Sequence, residues 1–228
     1  MNEKPITGFQ AIAFDLDGVL VEEPSSWWTL HKAFGTYENS KENLSAYEAG
    51  EIDYPEFMRR DIGLWGVRTI KEVESILGRF TLTEGAPEMC RTLKSEGYWL
   101  LIVSAGIDIL TEMVAKILGI DEWISNGLEV NRNGVLTGEG IFRVDLIRKD
   151  LALKKSVETL GLSPAHIIAV GDSKYDVPLM RSCGEGIAFI RNGFSKNEPE
   201  WAAPYVKINR LKDVSGVLSK IQAFRVTD

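Results

Sequence analysis

Residues 12–21 read IAFDLDGVLV. Ile12, Ala13 and Phe14 have the character of a strand entering a core, yet two carboxylates, Asp15 and Asp17, and then Gly18 interrupt the apolar run. Aspartate is a poor strand residue and is costly to bury without a partner. The plain reading is a strand that ends in a turn, with Asp17-Gly18 as its corner. The other reading is that the strand end carries a polar site. The choice depends on whether further polar residues reach the same place.

Four short apolar runs punctuate the chain: AIAF (11–14), WLLIV (99–103), HIIAV (166–170) and GIAFI (186–190). Runs of this kind, separated by helical patterns, indicate parallel strands covered on both faces. The helical patterns are APEMCRTLKSEG (86–97), with a proline in its first turn, DILTEMVAKILG (108–119), LIRKDLALKKSVETLG (146–161) and the shorter DVPLMRSCG (176–184). The alternation predicts an α/β fold, a Rossmann-like doubly wound parallel sheet. Residues 22–81 break the rhythm. They are rich in aromatics and charge at helical spacing, and sixty residues are too many for a strand-to-helix loop in a compact domain. The expected organisation is a core of residues 1–21 and 82–228 with a helical domain, 22–81, inserted after the first strand. A second departure, ISNGLEVNRNGVLTGEGIF (124–142), carries Asn133-Gly134 between alternating apolar positions, a hairpin signal.

The 228 residues are 44% apolar and 26% charged, with a net charge of −7. That balance argues against nucleic acid and against a basic membrane-binding face, but not against small phosphorylated molecules, whose charge one lysine or metal ion can neutralise. Two cysteines, Cys90 and Cys183, suit a reducing cytoplasm, and no segment has the length of a signal peptide or bilayer span. The expectation is a soluble cytoplasmic protein; oligomeric state is not encoded in any pattern here.

In an open parallel sheet, ligands bind outside the carboxyl ends of the strands. The first run is followed there by Asp15 and Asp17, the second by Ser104-Ala105-Gly106, and the third by Gly171-Asp172-Ser173 with Asp176 beyond. Clustered acids repel one another unless a cation holds them, and Mg²⁺, which seeks oxygen ligands, suits such a set.

With these residues in order, the chain resembles the haloacid dehalogenase superfamily, most closely its phosphoserine phosphatase-like branch. Asp15-Leu16-Asp17-Gly18-Val19 matches the first motif, Ser104 the second, and Gly171-Asp172-Ser173-Lys174-Tyr175-Asp176 the fourth. The third-motif lysine falls on Lys149 rather than Lys154 or Lys155, although Asp150 stands where a glycine is usual. Taken singly, each motif has an ordinary structural reading, such as a helix cap, an exposed lysine or a turn. All four in order reinforce one another. The resemblance implies a C1-type helical cap over residues 22–81 and a Mg²⁺-dependent phosphatase acting on a small phosphorylated metabolite.

On that reading Asp15 is the nucleophile and Asp17 the general acid and base. Their two-residue spacing puts both side chains on one face of an extended strand. Ser104, the amide of Ala105 and Lys149 hold phosphate oxygens, with the Ala105 and Gly106 amides at the start of a helix. The metal falls to Asp15, Asp172 and the main-chain carbonyl of Asp17, with Asp176 orienting that shell. Alternatives are a phosphomutase or phosphotransferase, whose sugar-directed relatives tend to show Glu-Asp where this chain has Gly171-Asp172, and a non-catalytic binding protein, which typically lacks one of the two first-motif aspartates. His31 and His166 read as structural; Trp27, Trp28 and Trp65 read as cap core, with one able to line a cavity. In phosphoserine phosphatases a glutamate after the first motif and a cap arginine receive the amino acid. Those positions fall here on Pro24 and Asp61, with Glu22, Glu23, Arg59 and Arg60 alongside as candidate specificity residues. L-phosphoserine is therefore expected to be a poor substrate.

Overall fold

The computed structural model describes residues 8–191 and 199–225. Strand β1 (Ala11–Phe14), wholly buried, pairs in parallel with β2 (Trp99–Ile107) on one side and β5 (Ile167–Gly171) on the other. Beyond β2 lie β3 (Glu122–Val130) and β4 (Leu136–Ile141); beyond β5 lie β6 (Glu185–Phe189) and β7 (Val206–Ile208). The order β4-β3-β2-β1-β5-β6-β7 is parallel except for β4, which returns antiparallel to β3. The chain builds outward from β1 through β2, then crosses back to β5, so the strand order reverses beside β1. That reversal opens a crevice at the strands' carboxyl ends. The doubly wound α/β sheet read from the sequence is the one observed.

Helices α1 (Ser26–Phe34), α2 (Tyr37–Glu48), α3 (Tyr54–Leu64) and α4 (Ile70–Leu77) follow β1 before α5 (Ala86–Ser95) returns the chain to β2. Their local codes are clear. Ser25 caps α1 by accepting from the Trp28 amide, Asp53 caps α3 from the Glu56 amide, and Thr69 with Glu72 forms a capping box on α4. Within these helices Trp65 packs against Trp27, His31 and Phe34, with ring centroids 5.4–5.8 Å apart, and Tyr47, Tyr54 and Phe57 form a second cluster. Helices α6 (Asp108–Leu118), α7 (Lys149–Thr159), α8 (Val177–Ser182) and α9 (Asp213–Arg225) complete the layers.

Two differences from the sequence reading have physical causes, and the expected hairpin forms between β3 and β4. Strand β2 does not end at Val103. It continues to Ile107 by shifting register against β3, up to the expected start of α6 at Asp108, so Ala105 and Gly106 lie in strand rather than at a helix start. The hairpin turn at Asn133-Gly134 is organised by Asn131, whose side-chain oxygen accepts from the amides of Asn133 and Val135. Strand β7, three residues long, and α9, of weak amphipathic pattern, carry too little periodicity to be legible in the sequence. Among the described residues no helix is long and apolar enough to cross a membrane.

Candidate active site

Asp15 leaves β1 with its amide still bonded to the Val170 carbonyl of β5, so the strand pairing fixes the carboxylate's origin. One of its oxygens accepts from the Leu16 amide at 2.8 Å, and the other faces Lys149 Nζ at 2.9 Å. Lys149, at the first turn of α7, is 2% exposed and also donates to Asp176 Oδ1 at 2.6 Å. A buried ammonium between two carboxylates pairs with both but leaves one negative charge uncompensated. Lys154 and Lys155 are exposed, away from this cluster. The other oxygen of Asp176 accepts from the amides of Asp172 and Ser173 and from the Ser173 hydroxyl, at 2.9–3.1 Å. Asp176 therefore braces the loop after β5, its lone pairs already engaged.

Asp15, Asp172 and Asp176 have carboxylate oxygens within 4.8 Å of one another. Burial drives Asp15 well above the usual carboxylate range, against the pull of Lys149. Burial, then the neighbouring Asp176, pushes Asp172 up to about 7. Acids that resist ionisation because they lie together in a dry site are the arrangement that a cation relieves. The donors are all oxygen, so the set fits a hard divalent ion. Gly18 makes the packing possible: at φ +78° its Cα lies where any Cβ would collide with the Asp172 carboxylate.

Asp17 differs from its neighbour. Its Oδ2 accepts from the Ser26 hydroxyl at 2.9 Å, while its buried Oδ1 has no hydrogen-bond partner. Burial raises it to about 6, Ser26 pulling the other way. Ser26 in turn accepts from the Ile107 amide, so one buried hydroxyl joins β2, the first turn of α1 and Asp17. Gly106 passes between them; a Cβ there would lie 2.5 Å from Asp17 Oδ2 and 2.6 Å from Ser26 Oγ.

Ser104 is buried, its hydroxyl oxygen accepting from the Gly106 amide at 3.0 Å. The next carbonyl, that of Ala105, receives three donors: Trp27 Nε1 at 3.0 Å, the Tyr54 hydroxyl at 2.9 Å and Asn126 Nδ2 at 3.0 Å. Two of these come from α1 and α3, so the inserted helices fix the plane of the Ala105–Gly106 peptide, whose N–H donates to Ser104 Oγ. On the opposite side Arg191 holds the turn after β1, donating to the carbonyls of Gly18 and Val21 and to Thr83.

A cavity of about 280 Å³ joins these parts. Asp15, Asp17, Ser104, Ala105, Lys149 and Asp172 line its floor; Trp27, Trp28, Leu44, Tyr54, Phe57 and Asp61 line its roof. The structure thus brings together every candidate catalytic, phosphate-binding and metal-binding residue, with Asp176 directly behind them. It does not bring the candidate specificity residues to the cavity. Arg59 and Arg60 lie on the exposed face of α3, both paired with Glu56, because the opposite face, bearing Tyr54, Phe57, Met58, Asp61 and Ile62, is the buried one. Glu23 accepts from the Thr81 amide, and Glu22 is exposed, 3.8 Å from Arg191. Pro24 and Asp61, the positions reached by counting, do line the cavity. Reading by resemblance missed Ser26, Tyr54, Asn126 and Arg191. Only Tyr54 left a signal, sharing one helical face with Phe57 and Asp61.

Residues 12–181 match the haloacid dehalogenase-like hydrolase family. A phosphoserine phosphatase of Albidiferax ferrireducens is 34% identical over 191 residues, an overlap that covers 81% of this chain and 80% of that protein. A phosphoserine phosphatase of Archaeoglobus fulgidus is 34% identical over 78% of this chain, but the match spans only about half, 52%, of that longer relative. Among solved structures, a substrate-bound phosphoserine phosphatase complex superposes with a TM-score of 0.75 at 27% identity, covering 96% of this chain and 99% of that one. A phospho-aspartyl intermediate analogue of phosphoserine phosphatase gives 0.74 at 27% identity, covering 93% and 99%.

Proposed function

The chain belongs to the haloacid dehalogenase-like hydrolase family, and from that premise we propose that it is a phosphatase. It hydrolyses a small phosphomonoester through an aspartyl-phosphate on Asp15. The carrying observation is that Asp15 and Asp17, two residues apart at the end of β1, meet Lys149 and Asp172 on one cavity floor.

Asp15 attacks phosphorus as the ester P–O bond breaks, and the leaving alkoxide takes a proton from Asp17. The unpartnered Oδ1 of Asp17, on a carboxyl raised to about 6, is suited to carry that proton. Water then attacks the aspartyl-phosphate, returning its proton to Asp17 and releasing inorganic phosphate from Asp15. The Ser104 hydroxyl and the Ala105 amide receive the non-bridging oxygens together with Lys149, and the next peptide, Ala105–Gly106, is held by three donors to its carbonyl. Lys149 also holds Asp15 in place for attack. Asp15, Asp172 and the main-chain carbonyl of Asp17 would hold Mg²⁺, with Asp176 bracing the loop that carries Asp172. When bound, the ion neutralises the charge that builds on the transferring phosphoryl group.

Residues 22–81 act as a cap over a core formed by 1–21 and 82–228. The Glu48 carboxylate accepts from Lys174 and Tyr175 of the loop after β5, which supports a cap that closes onto the core. A reducing, cytoplasmic setting agrees with Cys90 and Cys183 both being free. The test is phosphate release from p-nitrophenyl phosphate with and without Mg²⁺, for the native chain and Asp15→Asn. Release that survives the substitution sinks the assignment.

A further inference from the structure

The roof of the cavity differs in chemistry from its floor. Trp27, Trp28, Leu44 and Phe57 supply carbon surface, and the polar ends of the roof's other residues are already engaged. Trp27 Nε1 and the Tyr54 hydroxyl donate to the Ala105 carbonyl, the Ser40 hydroxyl to the Tyr37 carbonyl and the Tyr175 hydroxyl to Glu48. Lys149 is the one cation among the described lining residues, and it is held between Asp15 and Asp176.

The one charged group in the roof is an acid. Asp61 is 2% exposed, and no lysine or arginine pairs with it among the described residues. Its carboxylate accepts from Asn43 Nδ2 at 2.8 Å and lies 3.2 Å from His31 Nε2. The Trp65 indole N–H, which can only donate, points at His31 Nδ1. Asn43 orients Asp61 without supplying a positive charge. A second anion in the roof would lose its water, meet an aspartate and find no roof cation to pair with among the described lining residues.

We infer that the leaving group is apolar, of about one ring's size, and carries no carboxylate or second phosphate. The cavity, at about 280 Å³, lies just under the small-molecule range of roughly 300–1,000 Å³, which excludes a bulky nucleotide. This inference rests on the phosphatase reading above. It separates the chain's preference from phosphoserine, whose leaving group carries a carboxylate.

The experiment compares kcat/KM at saturating Mg²⁺ for three alkyl phosphates: benzyl phosphate, the same compound with a para-carboxylate, and O-phospho-L-serine. Benzyl phosphate is expected to exceed both anionic substrates at least tenfold. Asp61→Asn is expected to narrow the gap between benzyl phosphate and its carboxylate at least threefold, whatever its effect on absolute rates. Should that variant fail to fold, the native comparison still decides. Phosphoserine or the para-carboxylate matching benzyl phosphate overturns the inference and leaves the phosphatase reading standing. No turnover of any of the three, nor of p-nitrophenyl phosphate, overturns both.

Discussion

Asp15, Lys149 and Asp172 on the cavity floor, with Asp176 behind them, come from the end of β1, α7 and the loop after β5, and Lys149 ties Asp15 and Asp176 together through charge at 2.6–2.9 Å. On the roof, Trp27, Leu44, Tyr54 and Phe57 come from three helices and meet through rings and carbon. The floor hangs from a parallel sheet whose register sets each side chain's origin; the roof is placed by helix packing and by a few hydrogen bonds to the core. On the proposed reading, the chemistry belongs to the floor and discrimination between substrates to the roof. The two communicate at Ser26, bonded to Asp17, and at the Ala105 carbonyl, bonded to Trp27 and Tyr54.

The comparison breaks first at its strongest point. Asp15→Asn should cut phosphate release by more than roughly 10³-fold with an unchanged circular dichroism spectrum. A smaller loss means that the floor does not carry the chemistry.

Lys149→Met strands Asp15 and Asp176 without their ammonium. Removing one partner of a buried ion pair costs about 3–5 kcal/mol, so the urea midpoint of the metal-free variant should drop sharply. An equally large drop for Arg59→Met, an exposed pair worth at most about 1 kcal/mol, would erase the contrast.

The floor also sets a pH signature. Asp17 and Asp172 titrate at about 6 and about 7 when folded, above the roughly 4 of an unfolded chain. Between those limits the native state binds more protons than the unfolded one, so metal-free stability falls as pH rises from about 4 to 7. Saturating Mg²⁺ should flatten that slope. Parallel melting-temperature profiles with and without the ion would contradict the proposed metal site.

The links between floor and roof should give smaller effects. Ser26→Ala removes a hydroxyl that bonds both Asp17 and the Ile107 amide, and kcat should fall about 10-fold with KM little changed, about 1.4 kcal/mol. A KM effect alone would make Ser26 a packing residue. Tyr54→Phe deletes one of three donors to the Ala105 carbonyl, and kcat should fall only a few-fold, under about 1 kcal/mol. A loss as large as that of Ser26→Ala would mean that the roof orients the phosphate loop by Tyr54 alone.

The core and floor are readable residue by residue. A buried parallel strand announces itself as an apolar run, and the polar residue that ends the run must lie at the sheet's edge. The runs AIAF, WLLIV and HIIAV therefore deliver Asp15, Asp17, Ser104 and Asp172 from the sequence alone. Lys149 comes from resemblance, and its burial between two acids from the fold. Only the tertiary structure decided the rest. That β2 runs on to Ile107 depends on its pairing with β3, a long-range contact with no local mark. That Asp61 lines the cavity while Arg59 and Arg60 face water depends on the rotation of α3, which packing sets and a run of charges does not reveal. Ser26, Asn126 and Arg191 act through a few hydrogen bonds each, to residues up to 173 positions away, and hydrogen bonds across such distances leave no periodicity in a sequence.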